Sequence, residues 1–276
     1  MGTPDRWRSV QRIIRVIALL TVVFNSDRVL AHDPIFGLGP HVLYKGGVEI
    51  APHYEQSEAG KGLNREAGLE LTYGLTGDWA AGVEVPYVRV DSKSKDDSGI
   101  ADINLFTKYR FWRHDTLGAQ ESAAVFFKLK PDTGAKAGTD STDAILGLAY
   151  GYESRKWYRW ASVRYRRNGE GDAGLQRGDL WLIDFVGGVR LKPTGYLEPD
   201  TVWLLELNGE YSQHTELNGM KLSASGGTEW FISPGIFWTY RNFAIKAGIQ
   251  IPITSDLNGA QEESDYRAKL VLEWHL

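Results

Sequence analysis

The stretch Tyr266-Arg267-Ala268-Lys269-Leu270-Val271-Leu272-Glu273-Trp274-His275-Leu276 decides the fold. Tyr266, Ala268, Leu270, Leu272, Trp274 and Leu276 share one phase and are apolar, while Arg267, Lys269, Glu273 and His275 hold the other. Only Val271 departs from the pattern. A period of two is that of a β-strand, with one apolar face and one charged face. In a soluble sheet a helix would cover the apolar face, and the chain beyond residue 31 offers no amphipathic helix for the task. The cover left is lipid, which admits strands only when they close into a barrel.

The front of the chain is consistent with export. Arg6, Arg8, Arg12 and Arg15 precede an apolar run from Ile13 to Phe24, and Val29-Leu30-Ala31 is a small-residue ending before His32. That is the shape of a secretory signal, so residues 1–31 are expected to be a cleaved signal peptide. The run is too short for a membrane helix, which needs about 20 apolar residues. An uncleaved anchor or an amphipathic surface helix is the other reading of this segment.

Composition removes several function classes. The absence of cysteine among 276 residues excludes disulfides, thiolate metal sites and cysteine nucleophiles together. Leaving out the five Arg and two Asp of residues 1–31 leaves 26 basic against 33 acidic residues, a net −7, which disfavours nucleic acid as a partner. A mean hydropathy of −0.31 looks soluble, yet barrel strands carry a weak hydropathy signal because half of their residues face water.

From Gly46 onward the sequence reads as alternating segments of about ten residues, the length of a tilted strand crossing a bilayer. Strands are predicted at Gly46–Glu55, Arg65–Leu75, Trp79–Val90, Ile100–Trp112, Ser122–Lys130 and Asp143–Glu153. Six more are predicted at Trp157–Arg167, Asp179–Lys192, Thr201–Gln213, Thr228–Tyr240, Phe243–Ile253 and Asp265–Leu276. The fold class expected is all-β, a twelve-stranded antiparallel transmembrane β-barrel of the outer-membrane type over residues 46–276. An even count keeps both ends on the periplasmic side.

The connections fall into two sets in phase with that count. Thr76-Gly77-Asp78, Ser154-Arg155-Lys156 and Arg241-Asn242 are short, whereas Gln56–Asn64, Asp91–Gly99, Pro131–Thr142, Asn168–Gly178, His214–Gly227 and Thr254–Ser264 are polar and glycine-rich. Short turns belong to the periplasm and longer loops to the outside. His114–Glu121 and Pro193–Asp200 are longer but still in phase. Trp79, Tyr87, Trp181, Tyr211, Trp230, Trp238, Tyr240 and Trp274 lie in the lipid-facing phase, mostly near strand ends, where aromatic girdles form. The competing placement of these rings, in the core of a soluble sandwich, gives no reason for alternating connection lengths.

The other phase is charged. Strands one to three hold Glu49, His53, Glu55, Glu66, Glu70 and Glu84, and strands four to seven hold Lys108, Arg110, Lys128, Lys130, Arg164 and Arg166. Asp184, Arg190, Glu206, Glu210, Glu229, Lys246, Arg267, Lys269, Glu273 and His275 follow. Closure is expected to bring Arg267 and Lys269 near Glu49 and Glu55. A ring of alternating charge either sets a transverse field across a water-filled path or fills a narrow lumen with paired ions. Twelve strands lie between eight, which side chains can fill, and sixteen, which leave a channel. The solute-path reading names Lys108, Arg110, Lys128, Arg164, Glu70, Glu84, Glu206 and Glu229 as solute contacts.

Residues 32–45 precede the first strand, and the prolines and glycines of His32-Asp33-Pro34-Ile35-Phe36-Gly37-Leu38-Gly39-Pro40-His41 argue against a helix or strand. They are read as a periplasmic lead-in or a plug. His32, with His41 or His53, is a metal-binding candidate, the other reading being solvated histidines with no assignable carboxylate partner. No metal site and no cofactor is otherwise expected.

The run Gly99-Ile100-Ala101-Asp102-Ile103-Asn104-Leu105-Phe106-Thr107-Lys108-Tyr109-Arg110-Phe111 resembles a segment of the bacterial outer-membrane family named for the MetA pathway of phenol degradation, in which Gly-x-Gly-Asp leads into a strand ending Lys-Tyr-Arg. Ala101 stands where the second glycine would be. Lys128-Leu129-Lys130-Pro131-Asp132-Thr133-Gly134 is similar to the same family. The resemblance implies an outer-membrane channel or transporter for small organic compounds, aromatic ones among them.

Two other classes remain in view. A non-conducting structural or metal-binding barrel needs no open path. A lipid hydrolase needs a hydroxyl and an imidazole in reach of each other and a third group to orient them. Ser212 and His214 are the best pair available, and no acid partner is evident. No phosphate loop, zinc-protease helix or calcium loop is present. The function expected is therefore a passive channel, not an enzyme. Its partners are outer-membrane lipids, lipopolysaccharide and a small-molecule solute, and its oligomeric state is open.

Overall fold

Strands occupy most of the chain in the computed structural model, which describes residues 33–91, 96–195 and 197–276. The signal-type segment 1–31 and His32 lie outside the described residues. The strands are β1 (Val48–Ala59), β2 (Gly62–Gly74), β3 (Trp79–Asp91), β4 (Asp96–Ile100), β5 (Asn104–Thr116), β6 (Ala119–Lys130), β7 (Asp143–Ser154) and β8 (Trp157–Arg167). They continue with β9 (Leu175–Gln176), β10 (Leu180–Arg190), β11 (Asp200–Ser212), β12 (Glu216–Leu217), β13 (Met220–Lys221), β14 (Gly227–Tyr240), β15 (Phe243–Leu257) and β16 (Ser264–His275).

The long strands pair in sequence order, all antiparallel, and β16 closes on β1 with Glu49 opposite His275 and Ile50 opposite Trp274. β4 and β5 both pair with β3 and are two halves of one barrel strand, while β9, β12 and β13 form a separate small sheet in the outer loops. The barrel therefore has twelve strands.

All twelve expected strands are present, and four of them reach three or four residues further outward than the periodicity indicates. β1 and β2 continue to Ala59 and Gly62, so the first outer connection is a tight hairpin where a polar loop over Gln56–Asn64 is expected. Beyond the bilayer both faces meet water; the ladder persists while the apolar phase that reveals it disappears. The connection expected at His114–Glu121 is likewise only Leu117-Gly118.

β11 shows the division of faces most clearly. Trp203 and Leu205 are each 52% exposed, whereas Leu204 is 5% and Glu206 1% exposed. Trp79, Tyr87, Trp181, Tyr211 and Trp274 are exposed on the outer surface. An outer belt of large apolar side chains around a closed barrel is stable only in a bilayer. Val271, the one apolar residue in the charged phase of β16, faces inward and is buried.

The inside is not purely polar. Tyr158, Trp160, Val186, Val202, Leu204, Phe237 and Ala244 form an inward apolar cluster in the periplasmic half, and Ile35 from the segment before β1 completes it. That segment, Asp33–Lys45, lies within the barrel as far as Leu43, and Lys45 is exposed in the turn before β1. Pro40 and Leu38 press against Gly151 and Gly147, where an added Cβ would stand 2.8 and 2.9 Å from them. Two inward glycines on β7 thus leave the room that the segment occupies.

Candidate functional site

The segment Asp33–Lys45 divides the lumen. On its lower side Lys108 Nζ donates to Asp33 Oδ2 at 2.6 Å, and His41 bonds Glu153, which also accepts from the Trp160 indole at 2.8 Å. At mid-height the buried Glu206 carboxylate accepts three backbone amides, from Ile35 at 2.7 Å, Phe36 at 3.2 Å and Gly37 at 2.9 Å. Leu38 N–H reaches Ser162 Oγ at 3.3 Å, and Arg164 donates to the Phe36 carbonyl at 3.2 Å.

Above Phe36 is a cavity of about 890 Å³ that opens among the outer loops. Seven acidic side chains line it (Glu55, Glu66, Glu84, Asp102, Asp143, Asp184 and Glu210), and seven basic ones (Lys128, Lys130, Arg164, Arg166, Arg177, Arg267 and Lys269). The formal charges cancel, so the cavity acts by local field rather than by net charge. Phe36, Pro86, Val88, Ile145 and Leu182 add apolar lining.

Most of these ions are paired. Lys128 bonds Glu84 at 2.8 Å, Arg164 bonds Asp184 at 2.9 Å and Lys269 bonds Glu55 at 2.5 Å. Arg166 and Arg177 both reach Asp143, at 3.0 and 2.5 Å. Lys269 meets Glu55 as expected from closure, but Arg267 does not meet Glu49. Its register partner on β1 is Ser57, and it bonds Glu210 with both terminal nitrogens, at 2.5 and 2.9 Å. Glu49 instead faces His275 at 3.4 Å. A long side chain inside a barrel reaches across the lumen, and strand adjacency alone does not choose its partner.

The residues named from sequence as solute contacts separate into three groups. Lys128, Arg164 and Glu84 line the outer cavity. Lys108 and Glu70 line a smaller cavity of about 70 Å³ beneath the segment, together with Asp33 and Lys246. Arg110, Glu206 and Glu229 line neither cavity. Buried Arg110 is tied to the Asp78 carboxylate at 2.7 Å and the Gly77 carbonyl at 2.8 Å, which anchors a periplasmic turn. Glu206 is covered by the segment, and Glu229 accepts from Ser255 and Ser264 at 3.1 and 3.0 Å.

Of the metal candidates, His41 and His53 stand in different clusters. His41 is bonded to Glu153, whereas His53 faces Glu84 at 3.3 Å and Glu66 at 3.5 Å. The hydroxyl of Ser212 donates to the Gln213 carbonyl and the His214 ring faces the Leu222 carbonyl, so these two side chains are engaged elsewhere rather than with each other.

One arrangement of site residues was not legible at all. The pairing of the fourth barrel strand breaks at 101–103, where Asp102 turns inward and collects Thr133 N–H at 3.1 Å, Thr133 Oγ1 at 2.9 Å, Thr139 N–H at 2.9 Å and Lys130 Nζ at 3.1 Å. The loop 131–142 is thereby folded over the cavity mouth.

This is a closed, lipid-exposed barrel with a partly filled lumen, a β-barrel of the bacterial outer membrane. The model of the family described as "Putative MetA-pathway of phenol degradation" matches residues 53–264, and the chain belongs to that family. Asp102 and Thr133, from the two stretches that carry the resemblance, are bonded to each other. The chain is similar to an outer-membrane channel from Pseudomonas putida F1, with 13% identity over 89% of this chain and 100% of that one and a TM-score of 0.68. It is also similar to the NanC porin, with 9% identity over 83% of this chain and 100% of that one and a TM-score of 0.51. At these identities the likeness is one of fold. No curated protein sequence matches the chain.

Proposed function

We propose that the protein is a passive outer-membrane channel for small polar or amphipathic organic solutes, which enter through the outer cavity. The observation that carries the reading is the cavity itself. Its volume of about 890 Å³ is that of a small-molecule site, its charges balance, and apolar side chains lie among them. Such a lining favours solutes that carry both a polar group and an apolar body, aromatic ones included. Lys128, Arg164 and Glu84 are the proposed solute contacts here, with Lys108 and Glu70 below the segment. The family description, with its reference to phenol degradation, and the solved relative named a channel both support this reading.

Residues 1–31 act as the export signal in this proposal, and outer-membrane lipid and lipopolysaccharide surround the barrel. A second reading, a non-conducting barrel, is favoured by one observation: Asp33–Lys45 is held in the lumen by Glu206, Ser162 and Lys108. Single-channel recording of the purified protein in planar bilayers, with and without residues 32–45, separates the two. Discrete conductance that rises on removal of the segment supports a channel. Silence in both forms, together with no uptake of phenol or benzoate into proteoliposomes, supports the filled barrel.

A further inference from the structure

We infer that His53, Glu66 and Glu84 form a binding site for a divalent transition-metal ion on the acidic wall of the outer cavity. The three residues come from adjacent strands, β1, β2 and β3, and their ligand atoms all lie within 4.8 Å of one another. His53 Nε2 stands 3.5 Å from Glu66 Oε1 and 3.3 Å from Glu84 Oε1. Both separations are long for an N–H···O hydrogen bond. They match the spacing of two ligands on one zinc ion, since bonds of about 2.0–2.2 Å at a tetrahedral angle put ligand atoms about 3.4 Å apart.

The strand register builds this cluster. His53 is opposite Gly68 on β2, and Gly68 is opposite Pro86 on β3. A side chain at Gly68 would run into the imidazole, so the glycine lets the ring lie flat across β2 toward β3. Glu66 precedes Gly68 by two residues and Glu84 precedes Pro86 by two. Because β2 and β3 run in opposite directions, the two carboxylates flank the ring from above and below.

Glu84 is also oriented for the role. Its Oε2 receives Lys128 Nζ at 2.8 Å and Asn104 Nδ2 at 3.1 Å, and its Oε1 is turned to His53. Partners that fix a ligating carboxylate in this way are a regular feature of metal sites. Glu66 and Glu84 both line the outer cavity, which supplies an entry path and space for a water or solute donor in the fourth position.

The second cluster of this kind, Glu49, Glu273 and His275, makes an internal control. There none of the three lines the outer cavity, so an entering ion has no comparable path to them.

The test uses the mature protein without a histidine tag, stripped with chelator in detergent and titrated with zinc by calorimetry. Cobalt serves as an absorption probe of coordination. One zinc per barrel is expected, with affinity lowered at least ~10-fold by His53→Ala and by Glu66→Gln and unchanged by His275→Ala. No saturable zinc binding up to about 1 mM overturns the assignment. So does equal binding by His53→Ala, or a loss in His275→Ala as large as in His53→Ala. Should His53→Ala fail to fold, Glu66→Gln, nearly identical in shape, decides alone, and wild-type affinity in that variant overturns the site. The outcome is independent of whether solute crosses the barrel.

Discussion

The Glu206 side chain accepts the backbone N–H of Ile35 at 2.7 Å across 171 residues of sequence, and it is 1% exposed. A strand that belongs to the barrel wall thus holds a segment that belongs to neither wall nor loop. Phe36 and Gly37 bond the same carboxylate, so one side chain satisfies three consecutive amides that would otherwise be buried without acceptors.

Glu206→Ala removes all three acceptors at once. The docked state of the segment is expected to lose about 3 kcal/mol, since a buried amide left without its acceptor costs about 1–3 kcal/mol and the losses are not additive. Protease cleavage within residues 33–45 should become fast in folded protein, and open-channel current should rise. Glu206→Gln, which keeps an acceptor, is expected to lie between the variant and wild type. Equal cleavage rates in all three proteins would show that Glu206 does not hold the segment.

Asp102→Ala should release the loop 131–142 from the cavity mouth. Thr133, Thr139 and Lys130 all donate to this one buried carboxylate. Hydrogen exchange at the Thr133 and Thr139 amides is the measurement, and it is expected to accelerate by at least ~10-fold, the equivalent of about 1.4 kcal/mol. The rest of the barrel ladder should exchange as before.

Lys128→Glu and Arg164→Glu each convert one basic member of a balanced cavity into an acidic one. Both should shift the reversal potential under a salt gradient toward cation preference. Arg110→Gln, at the periplasmic turn, should leave it unchanged and lower stability instead. Reversal potentials that ignore the first two changes would remove those residues from the solute path.

Leu207→Arg places a charge on the lipid face near the middle of β11, where a cost of about 2–4 kcal/mol is usual, while Tyr211→Arg at the strand end should cost about 0–1 kcal/mol. Denaturant titration in lipid vesicles measures both. Equal costs would argue against a bilayer belt centred on this part of the strand.

The Asp33–Lys108 contact of the segment should survive until the pH is very low. Burial works against ionisation of Asp33, but the charges of Lys108, His41 and Lys246 outweigh it and hold the carboxyl at about 2. A carboxyl lowered on docking contributes above its ordinary value and loses that contribution as pH falls through the lowered one. The Asp33 contribution to segment protection, read as the difference between wild type and Asp33→Asn in limited proteolysis, should therefore hold from pH 7 to pH 4 and fail near pH 2. Lys108→Met, which removes the principal cation, should move the loss upward in pH.

The alternation of β16 is a local property: neighbouring side chains on a strand point to opposite faces, so Tyr266–Leu276 announces a lipid face and a polar face without reference to anything distant. The same rule carried along the chain places twelve strands, their order and the inward phase that holds Lys128, Arg164 and Glu84. It fails where that local contrast disappears, as in the outward extensions of β1 and β2, where both faces meet water.

Pairing across the lumen is a different kind of information. Arg267 turns to Glu210 rather than Glu49, Arg110 is spent on a periplasmic turn, and Ile35 sits among Tyr158, Trp160 and Phe237 in an apolar patch that no periodicity marks. Each depends on register, on the curvature of the closed sheet and on reach through the interior. Only the folded barrel brings such residues, far apart in sequence, within a few ångströms of one another.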